Sequence, residues 1–119
     1  MAEEQLELFP YQAFDDYQEW AKSKAVYIGE SGIDFMYPIL GLTSEVGEFN
    51  ALFKRKIRGE DISFDYLGQA KKELGDILWY LAMCAYECDL SLSEIVEANK
   101  EKLESREKRN TLKGSGDDR

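Results

Sequence analysis

Histidine is absent from this 119-residue chain. That excludes Ser-His-Asp and Cys-His arrangements, His-ligated zinc or haem, and any imidazole acid or base. Chemistry falls to carboxylates, amines, hydroxyls or a bound metal. Cysteine is scarce: Cys84 and Cys88 stand four apart in an apolar helical run. That spacing suits no disulfide, two thiols alone make no tetrahedral zinc site, and the pair reads as buried thiols in a reducing compartment. No apolar run approaches the roughly 18 residues of a membrane span. The acidic start MAEEQLELFP lacks a signal peptide's basic and apolar segments. A cytoplasmic protein is expected.

Positive charge is also in short supply, with 15 Lys and Arg against 24 Asp and Glu, net −9. Such a balance argues against a nucleic-acid duplex as partner. The deficit is uneven. Residues 1–98 carry 8 basic and 19 acidic side chains, net −11, while residues 99–119 carry 7 and 5, net +2. An acidic body suits cations and a basic end suits phosphate. The chain still has what a core needs, with 44% hydrophobic and 13% aromatic residues, so one folded domain is expected.

Only Pro10 and Pro38 interrupt the chain, and no segment alternates with a strand's period. The periodicity predicts four helices. The first covers 11–28 after Pro10, with Gly29, Ser31 and Gly32 breaking it. The second starts behind Asp34 as N-cap, runs to about Arg58 and stops at Gly59 before the GEDIS loop. The third covers about 65–87. The fourth opens on the capping box Ser91-Leu92-Ser93-Glu94 and runs to about Arg109. Short loops imply an all-α, antiparallel four-helix bundle with helices two and three as its central pair. The domain covers 1–113, and residues 114–119 read as a flexible tail.

One pattern occurs twice. Glu45-Val46-Gly47-Glu48 on helix two and Glu73-Leu74-Gly75-Asp76 on helix three both read acid-x-Gly-acid. Residues i and i+3 share a helix face, their Cβ atoms about 5–6 Å apart. Each pair flanks its helix's apolar stripe, so packing the helices together gathers four carboxylates. Acids beside a core need protonation, salt bridges or cations. Four oxygen donors suit Mg²⁺ or Mn²⁺. The mid-helix glycines each cost about 1 kcal/mol relative to alanine, which implies close helix approach or ligand access.

These residues resemble the MazG-like all-α nucleoside triphosphate pyrophosphohydrolases, whose signature is E-x-x-E, a gap, then E-x-x-D. Here 24 residues separate Glu48 from Glu73. GLTSEVGE (41–48), ELGDILWYLA (73–82) and the Asn99, Lys102, Arg106 pattern of NKEKLESR extend the likeness over about residues 14–113. The resemblance implies cleavage of an NTP or dNTP to monophosphate and pyrophosphate, in nucleotide housecleaning or trimming of a dNTP pool. It implies Mg²⁺ held by Glu45, Glu48, Glu73 and Asp76, with Mn²⁺ as a substitute. Some members carry a glutamate before the first motif acid as base; here Ser44 stands there, leaving Glu45, Glu48 or no base at all.

By the same resemblance, Asn99, Lys102 and Arg106 contact phosphates or sugar, and Tyr80 stacks on the base. Trp20 and Tyr37 are further base-pocket candidates, and Lys113 is a candidate to close over phosphate. Wheel geometry turns Trp79 elsewhere, with a subunit interface as one destination. The basic run Lys54, Arg55, Lys56 and Arg58 either complements the helix macrodipole or contacts phosphate. Family members are dimers or dimers of dimers, so a homo-oligomer is expected. Two other readings stay open: a non-catalytic helical interaction module, and a hydrolase of another phosphoanhydride such as phosphoribosyl-ATP.

Overall fold

The computed structural model describes residues 10–28, 34–60 and 65–119. Among them are four helices and no strand: α1 (Tyr11–Ser23), α2 (Met36–Ile57), α3 (Tyr66–Glu87) and α4 (Leu92–Lys108). No described helix is long and apolar enough to cross a membrane. The breaker Gly29-Ser31-Gly32 and most of the GEDIS loop lie outside the described residues.

Helix ends follow local chemistry in most places. At Ser91 the expected capping box forms: its Oγ accepts from the Glu94 N–H at 3.2 Å, and the Glu94 carboxylate accepts from the Ser91 N–H at 2.7 Å. Gly59, at φ 79°, stops α2 in a left-handed turn. There its N–H donates to Lys56 O and the Glu60 N–H to Arg55 O, satisfying carbonyls the helix leaves open.

Two ends differ from expectation. α1 stops at Ser23 rather than near residue 28. Tertiary packing draws Tyr27 away: its ring stacks on Tyr37 at 4.8 Å, meets Trp79 edge-on at 6.5 Å, and its hydroxyl donates to Glu87 at 3.2 Å. α2 begins one residue late, with Phe35 rather than Asp34 as its cap. Asp34 instead contributes its carbonyl, which accepts from the Tyr37 N–H at 3.2 Å.

The core joins α1, α3 and α4. Ala21, Tyr27, Ala82, Met83, Ala85 and Leu92 are buried together, with Phe14, Tyr17, Trp79 and Ile95 packed around them. Side chains of α1 also cap α4. Gln18 accepts from the Leu92 N–H at 3.0 Å and donates to the carbonyls of Ala82 and Leu90. Asp15 accepts from the Ser93 N–H at 3.0 Å and its hydroxyl at 2.7 Å. An acid beside a helix N-terminus also offsets the macrodipole.

α2 packs along α3 and makes at most marginal contact with the other helices. Helices two and three are therefore not the central pair: α3 lies between α2 and α1, and α1 between α3 and α4. Contacts that ascend α2 descend α3, from Gly41 against Tyr80, through Glu45 near Asp76, to Phe53 against Tyr66 at 5.3 Å. Leu52 and Ala70 are buried on these two helices. Ile39, Val46, Phe53 and Ile57 on α2, and Leu67, Leu74, Leu78 and Leu81 on α3, remain exposed. The radius of gyration is 18.1 Å, against about 13–14 Å for a compact chain of this length.

Candidate functional site

The register between α2 and α3 sets the site. Glu45 projects from the second turn beyond Gly41, and Glu73 and Asp76 share one face of α3. One carboxylate oxygen from each of the three lies within 4.8 Å of the others. Glu45 feels this crowding. Its carboxyl is held above the ordinary carboxylate range by partial burial, then by the charge of Asp76, a hydrogen bond shared with Glu73, and the charges of Glu73 and Glu48. Glu48 lies one turn further along α2, outside this trio, and lines a pocket with Glu73.

Two pockets flank the trio. Toward the N-terminus of α2, a cavity of about 270 Å³ is lined by Tyr37, Leu40, Gly41, Ser44, Glu45 and Tyr80. Its aromatic wall is built by close approach. A Cβ on Gly41 would overlap the Tyr80 ring, so only glycine admits that ring at this position. Tyr37 and Tyr80 lie 6.4 Å apart, ring to ring. Burial, a hydrogen bond with Tyr37 and the nearby Glu45 and Asp76 charges raise the Tyr80 phenol, which stays neutral. Toward the C-terminus of α2, a cavity of about 230 Å³ is lined by Glu48, Leu52, Arg55, Gln69, Lys72 and Glu73.

Comparison with known proteins gives these positions a family. Residues 38–111 match the MazG nucleotide pyrophosphohydrolase domain. The chain belongs to the MazG family. It is also 36% identical over 111 residues to the Gene 37 protein of Mycobacterium phage L5, a match covering 88% of this chain and 97% of that one. No solved structure matches. The matched span of the MazG domain contains both acid pairs, Tyr80 and all of α4.

The donor set of this MazG domain fits a hard divalent cation. Three carboxylates converge without a described cation pairing any of them. All-oxygen donors of this kind select Mg²⁺ or Mn²⁺ over softer metals. Glu48 stands outside the convergent group, though its charge reaches Glu45. α1 adds a residue that the helix-two and helix-three patterns did not suggest: burial first, and then the charge of Asp76, raise the Tyr17 phenol.

The basic residues of α4 are elsewhere in a single chain. α4 packs on α1, and Asn99, Lys102 and Arg106 line neither pocket beside the carboxylates. Asn99 is exposed. Lys102 pairs with Asp117 at 3.4 Å. Arg106, 5% exposed, donates through Nη2 to the carbonyls of Gly116 at 3.3 Å and Asp117 at 2.7 Å. Residues 114–119 thus fold back over α4. Lys102 and Arg106 in turn hold the Asp117 carboxyl below the usual range.

Several expectations need correction. Trp79 has its place within the chain: it packs against the core and its indole N–H donates to Ala21 O at 3.2 Å. Gly47 and Gly75 do not serve close helix approach, since a Cβ at either meets open space; Gly41 is the close-approach glycine. Cys88 is exposed and Cys84 only half-buried, so the thiols are not a buried pair. Trp20, 54% exposed beside Tyr17, lines neither pocket. Gly41 was legible in principle, lying four residues before Glu45 on the same flank.

Proposed function

We propose that this MazG domain is a Mg²⁺-dependent nucleoside triphosphate pyrophosphohydrolase that yields a nucleoside monophosphate and pyrophosphate. The observation that carries the reading is the convergence of Glu45, Glu73 and Asp76 beside an aromatic cavity. Carboxylates alone would repel a triphosphate. A bound Mg²⁺ would offset much of that local charge and polarise the α-phosphate. Glu45, Glu73 and Asp76 would hold the ion, joined by Glu48. Tyr37 and Tyr80 offer rings against which a base stacks.

The reaction adds water to the α-phosphorus and breaks the P–O bond to the β-phosphate, so pyrophosphate leaves. The water's proton goes to a carboxylate oxygen of Glu45 or Glu48; Ser44 is too weak a base. Asn99 and Lys102 serve phosphate or sugar only once a second copy brings α4 to the α2–α3 face, and Arg106 only once residues 114–119, which cover it, also lift away. The exposed apolar residues of that face support such an arrangement, an antiparallel helical bundle completed as a homodimer or dimer of dimers. The cellular role is nucleotide-pool housecleaning in a reducing cytoplasm.

A panel of NTPs and dNTPs with Mg²⁺, scored for monophosphate and pyrophosphate, tests the reading. Turnover of at least one nucleotide is expected. No turnover by folded protein with all four acids intact overturns it. Sedimentation showing a monomer at micromolar concentration overturns the shared-site arrangement.

A further inference from the structure

The basic run closing α2 does not act as one unit. Arg58 pairs with Glu60. Lys56 lies over the Tyr66 ring at 4.0 Å. Arg55 alone of the run lines the 230 Å³ cavity, half-buried, facing Lys72 of α3 across the groove. Neither Arg55 nor Lys72 forms an ion pair with a described residue. A half-buried guanidinium and an ammonium thus share a small cavity whose other charged walls are Glu48 and Glu73.

We propose that this cavity is the seat of the pyrophosphate moiety: the β- and γ-phosphates of the substrate, and then the released product. This rests on the hydrolase reading above and adds a direction to it. The triphosphate lies along the α2–α3 groove with its base against the Tyr37–Tyr80 wall, its α-phosphate at the carboxylate trio and its terminal phosphates against Arg55 and Lys72.

Two features support that polarity. First, the two cavities lie on opposite sides of the trio, one walled by aromatic rings and one holding Arg55 and Lys72, in the order in which a nucleotide presents base and phosphates. Second, charge is conditional. Arg55 and Lys72 are balanced by Glu48 and Glu73 while the acids are bare. A divalent cation on the acids raises the charge beside the cavity by two and frees Arg55 and Lys72 to face an anion, so anion binding there follows metal binding. Arg55 also carries the planar fork that matches paired phosphate oxygens.

The test measures binding of inorganic pyrophosphate and of a nucleoside monophosphate by calorimetry in Mg²⁺, where neither is hydrolysed. The proteins are the wild type, Arg55→Gln/Lys72→Gln, Tyr80→Leu and Lys54→Gln. The double variant is expected to weaken pyrophosphate at least tenfold and leave the monophosphate within twofold. Tyr80→Leu does the reverse. Lys54→Gln removes a charge of the same run outside the cavity and leaves both within twofold. Unchanged pyrophosphate affinity in the double variant overturns the seat, as does equal weakening of both ligands or an equal loss in Lys54→Gln. Circular dichroism checks folding, and exposed Lys72→Gln alone carries the test should Arg55→Gln not fold. Wild-type turnover beside any of these failures removes the seat alone; no turnover of any triphosphate removes the hydrolase reading beneath it.

Discussion

Gly41 lies directly beneath the ring of Tyr80, in space where a methyl group would coincide with ring atoms. The aromatic cavity beside Glu45 therefore depends on the absence of a side chain. Gly41→Ala gains helix propensity but must displace the ring. A net loss of about 1–3 kcal/mol is expected, typical of overpacking, with a raised KM for nucleotides. Tyr80→Leu in the same chain should recover part of the stability. A double-mutant cycle in urea with no coupling between the two positions would contradict the contact.

Glu45 makes the metal-free site sensitive to pH. Its raised pKa means that the folded state favours the protonated form. Its contribution to stability is present at acid pH and lost as pH rises through the raised value. Glu45→Gln removes this term, so the variant's stability relative to wild type should grow from acid to neutral pH without metal. Mg²⁺ should raise the wild-type melting temperature by mass action and have little effect on the variant. Thermal melts over a pH series with and without Mg²⁺ check both.

Gln18 ties three segments through one amide: the Leu92 N–H, Ala82 O and Leu90 O. Gln18→Ala leaves the first N–H of α4 without its acceptor, and about 1–3 kcal/mol should be lost. Urea denaturation gives the value. A change under a few tenths of a kcal/mol would mean that water replaces the amide at no cost.

Four helices, the Ser91–Glu94 box and the Gly59 stop were readable because they rest on periodicity and caps within a few residues. The shared face of Glu73 and Asp76 was readable for the same reason, since i,i+3 spacing fixes a face; that Glu45 meets them while Glu48 stands outside the cluster depends on the register of α2 against α3. What escaped depends on contacts distant in sequence. Trp79 is half-buried because α1 arrives on its side of α3. Tyr27 leaves the helix for Tyr37 and Trp79. Arg55, Lys56 and Arg58 look alike in a row, but the helical turn sends one to a cavity, one to a ring and one to Glu60.

The chain end offers a prediction on order. Gly, Ser and Asp in 114–118 suggest solvated chain, whereas Asp117 sits on Lys102 and Arg106. Its lowered pKa makes this contact fully present above the ordinary carboxylate range and lost as pH falls through the lower value. Backbone relaxation should show residues 115–118 ordered at neutral pH and mobile in strong acid. Asp117→Asn should loosen them at neutral pH. Mobility already at neutral pH in the wild type would refute the contact.

Trp79→Phe keeps the ring packing but deletes the donor to Ala21 O. A loss of about 1 kcal/mol is expected, with metal response unchanged because the indole faces the core. Loss of Mg²⁺ stabilisation in this variant would place Trp79 at the site after all.

α2 meets the rest of the described chain along α3 and through the stack of its Tyr37 on Tyr27. Two of the four acids ride on α2 and two on α3. The width of the carboxylate cluster is therefore a gauge of how α2 lies on α3: a small slide of one helix past the other would resize it and leave the α1–α3–α4 core as it is.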